Sequence, residues 1–260
     1  MTAPKLHSHV TGTGSPIVVL HGMLGSTAFW EPLTKFLQSK NRVIALDLLG
    51  FGDSPKPENS DYSTQQHTEA ILRTLDELKV SEPIILVGHS MGAILALSFA
   101  SRYPKNVARL VLMNMPIYAD RAEARRSIVQ SKLVPRLMYY GPTARLSCTI
   151  MCQFRPIVQR LIPHFLNDLP RAVAIDATKH TWYSYSRSMR QIIEEQSVID
   201  ELSTIKMPVS LVFGSDDNIA NSRHIDDLVS KRPNVSVTTL PATHQLPLEL
   251  PEQAAAIVVA

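Results

Sequence analysis

The stretch PIILVGHSMGAILALSFASRY, Pro83 to Tyr103, joins two kinds of pattern at a single point. Its apolar run Ile84-Ile85-Leu86-Val87 does not alternate and is rich in β-branched residues, which predicts a strand buried on both faces. The run ends in Gly88-His89-Ser90-Met91-Gly92. Ala93, Leu95, Ala96, Leu97, Phe99 and Ala100 then predict a helix, with small residues that let it lie close to a sheet. A G-x-S-x-G between strand and helix implies a sharp turn that holds the serine in strained dihedrals, its hydroxyl above the sheet edge. Gly88 and Gly92 lack the Cβ atoms that would collide in so tight a turn. The N-terminus of the helix aims N–H groups and partial positive charge at the same spot, which suits a developing oxyanion. Ser90 is the candidate nucleophile.

Working outward, Ile17–Leu20, Arg42–Leu46 and Arg109–Met113 read as further buried strands, and Leu6–Val10 as a weaker one. Helical faces at Phe29–Leu37 and Gln66–Leu78 alternate with them. This alternation implies a mainly parallel sheet covered on both faces. It stops after Arg109–Met113. From Pro116 to Leu202 the pattern is helical and broken by prolines, which predicts a helical cap (116–202) inserted into a core formed by 1–115 and 203–260. Regular alternation returns with strands at Val209–Phe213 and Val235–Thr239, a helix at Ile225–Val229 and a last helix from Pro251. The expected class is α/β, with a mainly parallel central sheet and an inserted helical lid.

Composition bounds the function. At 260 residues the chain buries roughly three quarters of its unfolded surface. With 45% hydrophobic and 19% charged residues it is an ordinary globular sequence. No run approaches the roughly 18 apolar residues of a membrane span, and MTAPKLHSHVTGTG at the N-terminus shows no secretory signal. The expectation is a cytoplasmic protein that binds neither membrane nor nucleic acid. Cys148 and Cys152, without other cysteines or a nearby His cluster, read as small buried hydrophobes. The net charge of +3 is unevenly spread, since residues 116–200 hold twelve Lys and Arg against seven acids. That basic segment would attract an anionic substrate or an acidic carrier protein.

A serine hydroxyl needs an adjacent base, itself oriented by a third group. His244 follows one late strand, and Asp217 follows another through the turn Gly214-Ser215-Asp216-Asp217. The order Ser, Asp, His is the one this architecture produces. His244 is the candidate base and Asp217 its orienting acid, preferred to the neighbouring Asp216. Backbone N–H groups of Met23 and Met91 are the candidate oxyanion donors. His21 and His89 are expected to support loops, His164 and His180 to lie in the lid, and Asp47 to anchor its glycine turn. Acyl transfer by such a triad requires no metal or organic cofactor.

These motifs together resemble the α/β-hydrolase superfamily over nearly the whole chain. The matching stretches are His21-Gly22, DLLGFGDS at 47–54, GHSMG at 88–92, GSDD at 214–217 and His244. The resemblance places the acid three residues after Gly214, at Asp217, and the oxyanion donors at Met23 and Met91. The pattern departs at Leu49, where the family usually has Pro or Arg. By the same resemblance the serine excludes haloalkane dehalogenases and most epoxide hydrolases. HGMLGS lacks the Gly-Pro-Gly loop typical of carbon–carbon bond hydrolases. What remains looks most like small carboxylesterases cleaving a small-molecule ester. Thioester, lactone, carbon–carbon and peracid chemistry stay open, as does a ligand receptor on this fold.

Overall fold

A computed structural model describes residues 3–130, 141–220 and 232–260, with Ile225, Val229 and Ser230 between the last two. Seven strands form one sheet: β1 (Ser8–Thr11), β2 (Ser15–Leu20), β3 (Asn41–Leu46), β4 (Ile84–His89), β5 (Val107–Met113), β6 (Val209–Gly214) and β7 (Val235–Leu240). Their spatial order is β1-β3-β2-β4-β5-β6-β7. β1 pairs antiparallel with β3, and every other pairing is parallel.

The parallel strands are apolar without alternation because both faces are covered. On one face Val18, Leu20, Ile44, Leu46, Leu86, Leu110, Leu112 and Leu211 pack against α2 (Thr64–Glu77) and α3 (Met91–Arg102). On the other, Ile17, Val19, Val43, Ala45, Val87, Val111 and Val212 meet α1 (Glu31–Leu37) and the last helix, which the structure places at Pro251–Val259. The period of two thus sorts each strand between two cores rather than between core and water. Leu49, where the sequence departs from its family pattern, is buried in the first core.

Between β5 and β6 every described element is helical: α4 (Arg121–Gln130), α5 (Pro142–Gln153), α6 (Arg155–Phe165), α7 (Arg171–Asp176), α8 (Trp182–Ser188) and α9 (Val198–Thr204). The prolines explain the short pieces. Pro142 and Pro156 open helices, where a missing N–H costs nothing, and Pro170 caps α7. Pro163 instead lies inside α6, near its end. A π-helical segment, Met189–Glu194, continues from α8. The expected cap boundary at residue 202 falls inside α9. That helix lies against α3, with Val198 and Leu202 buried in the first core and Ser98 Oγ donating to Glu201 at 2.6 Å. Cys148 is buried and Cys152 half-buried, both as free thiols; burial, with Cys152 alongside, pushes the Cys148 thiol up to about 12. The helix expected at 225–229 lies largely outside the described residues.

Elsewhere the segment between β5 and β6 meets the loops of the sheet through polar latches. Ser26 Oγ donates to Asp176 at 2.7 Å, and Lys179 spans Asp176 and Asp53 at 2.9 Å each. Arg187 donates to the carbonyls of Glu58 and Ser60 and stacks over Tyr183.

Buried imidazoles make this packing sensitive to acid. Burial pulls His67 and His89 down to about 3 and His180 to about 4, from an ordinary 6.5. The unfolded chain therefore takes up these protons first. Their stabilisation is complete above pH 6.5 and is lost as pH falls toward the folded values, each with a slope of up to about 1.4 kcal/mol per pH unit. Melting temperatures recorded across this range should be flat above neutrality and fall steeply below about pH 6. The His67→Leu variant should lose its share of the slope.

Candidate active site

The site is built where β4 gives way to α3. Ser90 lies between them with φ 53° and ψ −119°, a conformation a side-chain-bearing residue rarely adopts. Its N–H donates to Met113 O at 2.9 Å, and its carbonyl accepts from Ala93 and Ile94. The strain is thus held between β5 and the first turn of α3.

Close backbone approach fixes this turn in place. A methyl group on Gly92 would stand 2.3 Å from Leu20 O and 2.4 Å from His21 O, so α3 rests directly on the end of β2. A methyl on Gly88 would meet the backbone of Gly92 and Ala93 at 2.4–2.6 Å. The β2 loop closes over the serine from the other side, since a methyl on Gly22 would stand 3.1 Å from the Ser90 Cβ.

That loop carries Met23. Its preceding carbonyl, Gly22 O, accepts from the Gly25 N–H at 3.1 Å and from His21 Nδ1 at 2.7 Å. A trans peptide sends the Met23 N–H to the side opposite that anchored carbonyl. His21 accepts the Leu48 N–H on Nε2 at 2.9 Å, which leaves its proton on Nδ1. Burial lowers its pKa, so it serves as a neutral bracket between two loops. The Met91 N–H, at the first position of α3, belongs to the helix end that lacks intrahelical acceptors.

Asp217 follows β6 through a turn closed by its own N–H to Gly214 O. Its carboxylate takes four donors: Ile219 N–H at 2.7 Å and Ala220 N–H at 2.9 Å on Oδ1, Asn114 Nδ2 at 2.5 Å and His244 Nδ1 at 2.9 Å on Oδ2. Burial alone would raise this carboxyl; the bond to His244 and its charge, with Asn114 and Ala220, outweigh burial and hold it below the ordinary range. The neighbouring Asp216 side chain is exposed.

His244 donates from Nδ1, so its neutral form leaves the Nε2 lone pair available. Its backbone is fixed by His89, whose Nε2–H donates to His244 O at 2.7 Å. The two rings lie 4.9 Å apart, and Phe29 stacks on His89. His89 directly precedes Ser90 in the chain and so ties the turn to the His244 loop. Thr243 is held from beyond by the Glu249 carboxylate.

The remaining candidates lie apart from this cluster. His164 is exposed on α6, and His180 is buried between α7 and α8 with Nδ1 on Ala177 O at 2.8 Å. Asp47 gathers the N–H groups of Thr27 and Asp53 and the His7 ring. His7, Asp47 and Asp53 form a metal-sized group among the described residues, but loop amides and Lys179 already engage the two carboxylates. A cavity of about 710 Å³ lies between the 58–61 loop and the 182–194 segment, lined by Asp61, Arg121, Arg125, Arg187, Arg190 and Glu194 among others. None of Ser90, Asp217 or His244 borders it.

Asn114 is the residue that sequence reasoning overlooked. It follows β5 with φ 50°, fully buried, its N–H on Val212 O and its amide divided between Asp217 and Thr243 O. Its only sequence cue is an asparagine at the end of the strand beside the G-x-S-x-G strand.

A parallel sheet with a strained serine at a central strand end, and an Asp–His pair on the strands beyond it, defines a class of α/β proteins. The sequence model of the alpha/beta hydrolase fold matches residues 15–249, and the chain belongs to that family. "Probable lysophospholipase BODYGUARD 4" of Arabidopsis thaliana is 30% identical over 238 residues, 85% of this chain and 57% of that protein. The 2-hydroxy-6-oxo-2,4-heptadienoate hydrolase of Pseudomonas putida is 39% identical over 108 residues, 40% of this chain and 39% of its own length. The chain thus spans little more than half of the longest-matched curated relatives. Among solved structures, E-2-(acetamidomethylene)succinate hydrolase superposes with a TM-score of 0.76 at 20% identity, covering 98% of this chain and 93% of the other. The enol-lactonase of Burkholderia xenovorans LB400 superposes with 0.73 at 21%, covering 98% and 95%.

The close approach of α3 to β2 yields a stability test. Gly92→Ala pushes a methyl against immobile backbone and should destabilise the protein by about 3 kcal/mol, read as a lowered urea midpoint. An unchanged midpoint would mean that α3 does not rest on β2 as described.

Proposed function

We propose that this protein is a serine hydrolase that cleaves carboxylic ester bonds through an acyl-enzyme on Ser90. The observation that carries the reading is the Asp217–His244 hydrogen bond, 2.9 Å long, on a loop that His89 ties to the strained Ser90 turn. In this reading His244 Nε2 takes the Ser90 proton as Oγ attacks the ester carbonyl, then returns it to the leaving alcohol. Water, deprotonated by the same nitrogen, releases the acid. Asp217 fixes the Nδ1–H tautomer and stabilises the imidazolium. The N–H groups of Met23 and Met91 receive the oxyanion, each contributing about 3–4 kcal/mol at the transition state. Residues 116–202 act as the cap over this core.

The plant relatives named as probable lysophospholipases favour an ester substrate. A second reading keeps the triad and changes the bond to carbon–carbon. It is favoured by the Pseudomonas putida hydrolase, whose likeness covers 40% of this chain. Turnover of p-nitrophenyl esters against a vinylogous 1,5-diketone separates the two.

A fluorophosphonate probe should label the wild type and not Ser90→Ala, and kcat/KM on p-nitrophenyl esters should fall by about 10⁴ or more in the variant. A wild type that takes no label would sink the nucleophile assignment and leave a ligand receptor. Asn114→Ala tests the support of the acid. Losing the Asn114 donor raises the Asp217 carboxyl, so the low-pH limb of kcat/KM should move to higher pH. A roughly tenfold loss in kcat should accompany that move. A purely structural role for Asn114 would lower activity without moving the limb.

A further inference from the structure

The helices α5 and α6 carry apolar side chains that nothing among the described residues covers. Leu146, Ile150 and Phe154 recur every four residues along α5, and Ile157, Leu161 and Phe165 do the same along α6. Phe154 is the residue at which one helix ends and the other begins, so the two rows meet there. All six side chains are between 49% and 76% exposed. The inward sides differ. Ala144 and Cys148 are the buried residues of α5, while α6 buries no residue fully and leans on α7. A stripe of large hydrophobes facing water on adjoining helices is a feature monomeric surfaces rarely keep without use.

Charge identifies what the face fits. No Asp or Glu occurs between Glu123 and Asp168 in the sequence. Arg145 and Arg160 stand exposed beside the two stripes, together with His164. Apolar side chains flanked by cations, with acids excluded, match the boundary between acyl chains and anionic headgroups. Among the described residues no helix is long and apolar enough to cross a membrane. The sequence expectation of no membrane association considered only such a span, and a face lying in the interface plane requires none.

We propose that the outer face of α5 and α6 docks the protein reversibly onto an anionic bilayer surface. This placement does not rest on the esterase reading, because docking is measured without turnover.

The test is sedimentation of the full chain with vesicles of equimolar phosphatidylglycerol and phosphatidylcholine, beside vesicles of phosphatidylcholine alone. Wild type should pellet with the anionic vesicles and be released by salt. Leu161→Ser with Phe165→Ser should lower the bound fraction roughly tenfold, and Arg145→Gln with Arg160→Gln should remove the preference for anionic lipid. Leu146→Ser with Ile150→Ser places an independent lesion on the other helix. Unchanged melting temperatures keep misfolding from imitating the loss. Absence of wild-type binding to the anionic vesicles would overturn the proposal, as would apolar variants that bind like wild type. A wild-type dimer in sedimentation equilibrium that the same substitutions disperse would also overturn it, by making the face a contact between copies. So would capture of an acidic carrier protein without any vesicle binding.

Discussion

The reversal of the chain at Ser90 depends on backbone lying against backbone. Gly92 seats the start of α3 on the carbonyls that end β2, and Gly88 lets the same turn fold back over itself. No side chain fits in either gap, so the helix axis cannot shift without breaking the sheet contact. That rigidity lets a non-glycine residue remain at φ 53°. The strain persists because β5 and the first turn of α3 hold the peptide groups of Ser90 from both sides. The same contact brings the β2 loop to the serine.

Parallel pairing then does the assembling. Because β2, β4, β5, β6 and β7 run the same way, their carboxyl ends lie along one edge, and the residues beyond those ends share it. Met23, Ser90, Asn114, Asp217 and His244 each follow a different one of these strands. Histidines that do no proposed chemistry join the loops to one another. His21 brackets the β2 and β3 loops, and His89 bridges the serine turn to the histidine loop. Both depend on staying neutral, and burial supplies that condition. A charged ring at either position could not accept or orient in the same way.

The core was legible in the sequence because its signals are local. A non-alternating apolar run means two covered faces, and a glycine on each side of a serine means a tight turn. Asp217 and His244 were readable from what precedes them, namely buried strands of the same architecture. Asn114 was not. Its importance arises from a bond to a residue about a hundred positions away in sequence, and an asparagine at a strand end carries no periodicity. The role of α9 was hidden for a similar reason. Val198 and Leu202 share the helical pattern of the residues before them, and only packing against α3 shows that they belong to the sheet layer. The outward stripe of α5 and α6 escaped because an amphipathic pattern reports one apolar side without saying whether anything faces it.

The latches between the β5–β6 segment and the loops of the sheet have a consequence of their own. Ser26 to Asp176, Lys179 to Asp53 and Arg187 to two carbonyls are polar contacts, and α6 buries no residue of its own. The Lys179–Asp53 ion pair weakens with ionic strength, whereas the two cores of the sheet do not. Helices with few buried residues open more readily than packed strands, so α5 and α6 lie at the low-stability end of the molecule. Amide protons of α5 and α6 should therefore exchange sooner than those of the sheet, and substitutions on their outer sides should cost the two cores little.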